Sequence, residues 1–282
     1  MSQKVFLNGQ IIDNDEAAIS ISDGGFLYGA GLFETMRCAG GIVFGIDDHI
    51  DRLLASCAKL NIAVDFDRKF LHHAVYEAIS ANAMPDARIR LTVSSGSLGT
   101  EKPAPTVLVT VSPFASYPKE YYDKGSRVVL SSCRQNPTDP TAGHKSLSYF
   151  PRLMMLDEAR KKGALESLWF TFDGRLAEGC ISNVFVVKAG KVFTPALATP
   201  VLPGVIRKHV LTVASASGIE TSESDLYIKD VLAADEIFIT NSVMHIMPVV
   251  GVESHTIAEG KIGTVTKKLM QDFVEHFQKA TT

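Results

Sequence analysis

The sequence predicts an α+β fold. Helix-like and strand-like stretches are mixed along the chain, without the regular strand–helix–strand alternation of a doubly wound sheet. One stretch carries apolar residues at helical spacing, at Ile50, Leu53, Leu54, Cys57 and Leu60, while runs such as Arg88 to Ser94 have the β-rich composition of strands. No internal repeat or low-complexity tract interrupts the pattern.

The elements follow in order. Val5-Phe6-Leu7-Asn8-Gly9 reads as a strand ending in an Asn-Gly turn suited to a hairpin. Residues 20–37 are glycine-rich and then apolar. Asp47 is expected to cap the helix that carries the Ile50 stripe. A second helix is predicted over Arg68 to Ala81, then strands over Arg88 to Ser94 and Thr106 to Ser112. The polar, proline-bearing segment Ser112 to Lys119 reads as an interdomain linker. Beyond it come a strand at Arg127 to Ser131, a loop at Asn136 to Pro140, and a helix from about Tyr149 to Lys162, stopped by Gly163. Strands are expected around 167–172, 182–188 and 191–194. A helix then opens near Gly204, strands cover Glu236 to Thr240 and Ile246 to Val252, and Val265, Leu269, Phe273 and Phe277 mark a terminal amphipathic helix.

Composition narrows the function. The chain has 282 residues, enough for one large domain or two modest ones. Twenty-eight basic residues against 31 acidic ones, with no basic run, argue against a nucleic-acid partner. No apolar stretch approaches the roughly 20 residues of a membrane helix. The N-terminus lacks a secretory apolar region, so a cytoplasmic location is expected. Four scattered cysteines and eight histidines without ligand spacing point to reduced thiols and no metal site.

The residues that carry chemistry lie in the second half. Lys145 sits in Gly143-His144-Lys145-Ser146-Leu147, and Ala177-Glu178-Gly179 with Ser182-Asn183-Val184-Phe185 follows about thirty residues later. A lysine amine can form a Schiff base with an aldehyde cofactor, and a carboxylate can keep a pyridine nitrogen protonated. Those are the two demands of pyridoxal phosphate. Alone, either residue reads as a solvated charge. Leu202-Pro203-Gly204-Val205-Ile206-Arg207 opens a helix whose first amides, at Val205 and Ile206, suit a phosphate. Arg52, on the helix after the glycine-rich loop, can hold a phosphate through two parallel bonds. Thr240-Asn241-Ser242 ends a strand and offers hydroxyls and amides to the same anion. The case rests on the conjunction.

Three other patterns fail. Gly143-His144-Lys145-Ser146 lacks the upstream glycine of a phosphate loop, since Thr138 stands there. Ser95 replaces the first glycine of a nucleophile elbow. Glu34 occupies the place of the third glycine in a dinucleotide loop that would begin at Gly29.

Together these segments resemble the class IV aminotransferase family, the fold-type IV enzymes that use pyridoxal phosphate, over nearly the whole chain. The resemblance implies a small N-terminal domain (1–115), a linker (116–125) and a larger C-terminal pseudo-barrel domain (126–282) carrying the Schiff-base lysine. It makes Lys145 that lysine and Glu178 the partner of the pyridine nitrogen. Arg52, Ser182, Asn183, Gly204, Val205, Ile206, Asn241 and Ser242 would complete the cofactor site. Phe33, Thr35, Ser97 and Tyr149 would line the substrate pocket. Where the family often has threonine this chain has Ile206, so one phosphate hydroxyl is missing. A small amine or amino acid as substrate and a homodimer are implied as well.

Within the family, Phe26 to Thr35 and Ala234 to Val249 look most like 4-amino-4-deoxychorismate lyase, which releases pyruvate and forms 4-aminobenzoate in folate biosynthesis. The expected activity is therefore that lyase, with a transaminase acting on D- or branched-chain amino acids as the alternative. D-amino acid aminotransferases typically carry tyrosine in place of Phe33 and often place Arg and His in the loop held here by Ser95 to Gly99. A non-catalytic pyridoxal phosphate-binding protein would need no ring acid, which Glu178 argues against.

Overall fold

The computed structural model describes residues 3–99 and 104–282. The chain divides into two units: residues 1–115, 144–149 and 280–282, and residues 116–143 and 150–279. Lys145 thus belongs to the first unit, where the sequence had suggested the C-terminal domain. The reason is backbone pairing. Phe33 N–H donates to the Lys145 carbonyl and Leu147 N–H to the Gly31 carbonyl, both at 2.9 Å, so residues 145–147 run as a short strand along their neighbours.

The first unit contains β1 (Lys4–Leu7), β2 (Gln10–Asp13), the short helix α1 (Gly24–Tyr28), β3 (Gly31–Ala39), β4 (Ile42–Val43), α2 (Ile46–Lys59), α3 (Arg68–Asn82), β5 (Ala87–Ser94) and β6 (Val107–Pro113). The strands form one antiparallel sheet in the order β2-β1-β6-β5-β3-β4. Alternation along β3 and β5 divides side chains between two faces. Leu32, Met36 and Cys38 join Ile89, Leu91 and Val93 in a core with α2 and α3 residues such as Ile50, Leu53, Leu71 and Val75. Burying each large apolar side chain there contributes about 1.5–3 kcal/mol. Phe33, Thr35, Arg88, Arg90 and Thr92 are left on the opposite face, with Thr35 opposite Arg90 and Phe33 opposite Thr92.

One helix boundary and one additional helix differ from expectation here. α2 begins at Ile46, and Gly45, in the left-handed region at φ 61°, is its N-cap, so Asp47 lies in the first turn and serves the helix dipole instead. The glycine-rich stretch contains a five-residue helix, which Asp23 caps by accepting from Gly25 N–H at 2.7 Å.

The second unit begins with α4 (Lys119–Lys124), so part of the segment read as a linker is helical; Tyr121 and Tyr122 pack on the core. Then come β7 (Ser126–Gln135), α5 (Phe150–Lys161), β8 (Glu166–Thr171), β9 (Leu176–Gly179), β10 (Asn183–Lys188), β11 (Lys191–Pro195), α6 (Val205–Ala216), β12 (Thr221–Ser224), α7 (Ile228–Leu232), β13 (Glu236–Asn241), β14 (His245–Val252), β15 (His255–Thr256) and α8 (Thr264–Ala280). The main sheet runs β12-β11-β10-β13-β14-β7-β8-β9. Its two edges meet: Leu176 N–H donates to the Leu226 carbonyl at 2.6 Å, and Arg175 bridges Tyr227. The sheet therefore curls into a pseudo-barrel around Val128, Leu168, Val184, Ile239 and Met247.

Candidate active site

In the first unit the reactive candidate is Lys145. Its ammonium lies 4.4 Å from the centroid of the Phe33 ring and 5.7 Å from that of Tyr149, and those two rings meet edge to face at 5.3 Å. Aromatic faces attract a cation through the negative face of the ring. On the Lys145 flank, His144 shares a 2.9 Å hydrogen bond with the Ser56 hydroxyl, which ties the segment to α2.

Arg90 is the residue the sequence reading missed. It stands on the outer face of β5 with its guanidinium 3.9 Å from the Phe33 centroid, so Phe33 carries a cation from each of Lys145 and Arg90. It is half-buried, and no carboxylate within 4 Å pairs with it among the described residues. Burial, then the charge of Arg88, lowers its pKa from the usual value. An arginine held this way is suited to a carboxylate brought by a ligand. The only signal in sequence was a charge at an outward strand position, which normally marks a solvated face. Thr35 lies across the strand pair from Arg90. Ser97 sits on the loop leaving β5, bridged to Asp23.

Arg52 is engaged differently from expectation. Its Nε donates to Glu34 Oε1 at 2.8 Å and its Nη2 to Oε2 at 2.5 Å, so the two-bond grip expected on a phosphate is made on Glu34. His49 Nδ1 lies 2.6 Å from the same carboxylate. All three side chains are buried or nearly so. Burial acts to raise the Glu34 carboxyl, but the Arg52 charge and the His49 hydrogen bond outweigh it and hold the group at about 2. Burial lowers the His49 imidazole, and the charges of Arg52 and Lys145 push the same way.

In the second unit Glu178 is buried on β9. Its Oε1 accepts from Arg152 Nη2 at 2.6 Å, and its Oε2 accepts from Leu202 N–H at 2.9 Å. Arg152, on α5, also donates to the Gly179 carbonyl at 2.9 Å and lies 5.2 Å from the Trp169 centroid. Ser182 donates its hydroxyl proton to buried Glu166 at 2.8 Å. Asn183 donates to the Leu202 carbonyl at 2.9 Å, and its Oδ1 stands where a Cβ on Gly204 would be. These two residues are thus committed to protein partners and shape the Pro203–Gly204 corner. Gly204 caps α6 in extended conformation with no side-chain hydrogen bond, which leaves Val205 and Ile206 to present main-chain amides. Asn241 accepts from Val243 and Met244 N–H, both at 2.9 Å, and so folds the turn that carries Ser242. The buried Thr240 hydroxyl has no hydrogen-bond partner.

The residues fit pyridoxal phosphate, unit by unit. A lysine between two aromatic rings suits an aldehyde. A buried carboxylate fixed from two sides suits a protonated ring nitrogen. A helix start without a side-chain cap, at a corner where a Cβ would collide with Asn183, suits a phosphate.

Comparison with known proteins agrees. The model of the amino-transferase class IV family matches residues 31–252. A protein named "Putative branched-chain-amino-acid aminotransferase" from Methanocaldococcus jannaschii is 34% identical over 96% of this chain and 95% of its own length. D-alanine aminotransferase of Bacillus licheniformis is 30% identical over 94% of each chain. Among solved structures, Escherichia coli branched-chain amino acid aminotransferase superposes with a TM-score of 0.94 at 28% identity, covering 100% of this chain and 97% of the other. Pseudomonas aeruginosa 4-amino-4-deoxychorismate lyase gives 0.84 at 27%, covering 96% and 98%.

Proposed function

The chain belongs to the amino-transferase class IV family, a family of pyridoxal phosphate enzymes, and from that premise we propose that it is a transaminase exchanging an amino group between an amino acid and a 2-oxo acid. Branched-chain L-amino acids are the favoured donors and D-amino acids the alternative. The observation that carries the reading is Arg90, a half-buried guanidinium on the same Phe33 ring as the Lys145 ammonium, with no carboxylate partner among the described residues. The lyase reading drawn from the sequence motifs is weaker, because both curated relatives described above carry aminotransferase names.

Bound pyridoxal phosphate supplies an aldehyde that takes up the amine and a ring that accepts an electron pair from the adjacent carbon. In this reading Lys145 would hold the cofactor, and its amine would move the proton at the substrate carbon bearing nitrogen. Glu178 keeps a proton on the ring nitrogen, with Arg152 and the Leu202 amide fixing its carboxylate. The amides of Val205 and Ile206, with Ser242 on the turn shaped by Asn241, would receive the phosphate. Arg90 takes the substrate carboxylate, and Phe33, Thr35 and Tyr149 offer the surface against which an apolar side chain packs.

The reading includes a homodimer, supported by Ile21, Phe26 and Tyr28, which stand 80%, 72% and 68% exposed within eight residues. It includes the cytoplasm as compartment, supported by four free cysteines. No helix among the described residues is long and apolar enough to cross a membrane.

The test is the visible spectrum of the holoenzyme, titrated with L-valine, L-leucine, D-alanine and D-glutamate. Conversion to the amino form of the cofactor by the L-branched set supports the proposal, and conversion by the D-set alone reassigns the donor. A spectrum indifferent to every amino acid, with pyruvate released from aminodeoxychorismate, would restore the lyase.

A further inference from the structure

Glu166 is the most deeply buried carboxylate of the second unit, fully shielded from solvent at the start of β8, with no lysine or arginine within 4 Å among the described residues. Four donors surround it instead. Its Oε1 accepts from Ser167 N–H and Cys180 N–H, both at 2.9 Å. Its Oε2 accepts from Ile181 N–H at 3.1 Å and from the Ser182 hydroxyl at 2.8 Å. Three of the four therefore come from consecutive residues of the turn between β9 and β10, which begins just after Glu178. The approach is close: a Cβ on Gly179 would stand 2.7 Å from the Glu166 carboxyl carbon and would collide with the Ser182 hydroxyl.

A burial this complete is costly for an anion unless its hydrogen bonds are satisfied, and a neutral isostere cannot satisfy them. Glutamine would turn an NH2 group toward these N–H donors, one of which, that of Cys180, is shared with the Ser167 carbonyl at 3.1 Å. The turn is thus wrapped around Glu166 much as a backbone nest wraps a bound anion. We propose that Glu166 is a positioning residue for Glu178: a buried carboxyl group, gripped by four donors, that fixes the 179–182 turn and, through it, the place of the Glu178 carboxylate. The inference rests on the reading of Glu178 as the residue that serves the cofactor ring.

The experiment compares Glu166→Gln, Glu166→Asp and Glu178→Gln holoenzymes by three measurements. These are the pH midpoint of the bound cofactor's visible band, cofactor dissociation by fluorescence, and kcat with KM. A displacement of about 1 Å at a positioned group can cost about a hundredfold in rate. Glu166→Gln should accordingly lose at least tenfold in kcat with KM little changed, and should move the band's midpoint in the same direction as Glu178→Gln. Glu166→Asp, which keeps a carboxylate, should recover part of both. If Glu166→Gln does not fold, Gly179→Ala supplies the same displacement with the charge intact and should move the midpoint likewise.

An unchanged midpoint and kcat in Glu166→Gln would make Glu166 merely structural and overturn the proposal. A Glu178→Gln enzyme with unaltered band and turnover would instead overturn the reading of Glu178, and the proposal with it.

Discussion

Glu34 and Arg52 form a two-bond ion pair, Nε to Oε1 at 2.8 Å and Nη2 to Oε2 at 2.5 Å, inside the first unit. The pair joins β3 to α2 and fixes the plane of the guanidinium. Breaking a buried pair from one side leaves the other charge uncompensated, at a cost of about 3–5 kcal/mol. Glu34→Gln should therefore lower stability by that order in urea denaturation. The pH dependence has a definite sign. The folded carboxyl is held at about 2, below its ordinary value, so its contribution is present above the ordinary range and is lost as pH falls toward about 2. The acid limb of the stability profile should be shallower in Glu34→Gln than in the wild type; matching limbs would refute the coupling.

On the proposed reading, Arg90 separates recognition of a carboxylate from the chemistry at Lys145. Removing one partner of a buried charge pair costs about 2–5 kcal/mol, so Arg90→Met should reduce kcat/KM for amino acids by about a hundredfold. Amines that lack a carboxylate gain nothing from Arg90 and should react equally with both enzymes. Steady-state kinetics on paired substrates, an amino acid and its decarboxylated amine, measure the difference. An equal loss on both would show that Arg90 serves the fold and not the substrate.

What could be read from sequence follows physical range. Lys145 and Glu178 stand out in the sequence because each lies in a short local motif, Gly143 to Leu147 and Ala177 to Phe185. The helices Arg68–Asn82 and Val205–Ala216 were legible because their apolar spacing and end signals are local. Arg90 was not, since its meaning comes from register: only pairing with β3 puts it beside Phe33. Arg152 and Glu166 act on Glu178 and its turn across 26 and 14–16 residues. Neither separation has a period that a pattern could reveal. The fold-back of residues 145–147 onto the first unit was hidden for the same reason, because a three-residue strand has almost no signature of its own.

The Gly204 corner makes the phosphate assignment testable without touching a charged group. A Cβ at that position would collide with Asn183 Oδ1, so Gly204→Ala must move either Asn183 off the Leu202 carbonyl or the helix start itself. Overpacking of this kind costs about 1–3 kcal/mol. Cofactor affinity should fall alongside stability, because the amides of Val205 and Ile206 shift with the corner. Equilibrium dialysis against pyridoxal phosphate, and against inorganic phosphate as competitor, should both register the loss. Unaltered phosphate competition with a lowered melting point would place the phosphate elsewhere.

The second unit also carries a pH-sensitive contact between α6 and α8. His209 on α6 and His276 on α8 share a 2.9 Å hydrogen bond between Nδ1 and Nε2, which only one proton can occupy. Burial, and then the Lys279 charge, hold the His276 imidazole below its ordinary value. A depressed imidazole favours the neutral form in the fold, so the contribution is present above the unfolded value, about 6.5, and is lost as pH falls below it. Two protonated imidazoles at this distance would repel, and α6 and α8 would lose their polar link. The melting temperature should therefore drop between pH 7.5 and 5 more steeply in the wild type than in His276→Gln, which can hydrogen-bond His209 but carries no charge. Parallel curves for the two proteins would mean that the acid sensitivity of the fold arises at other groups.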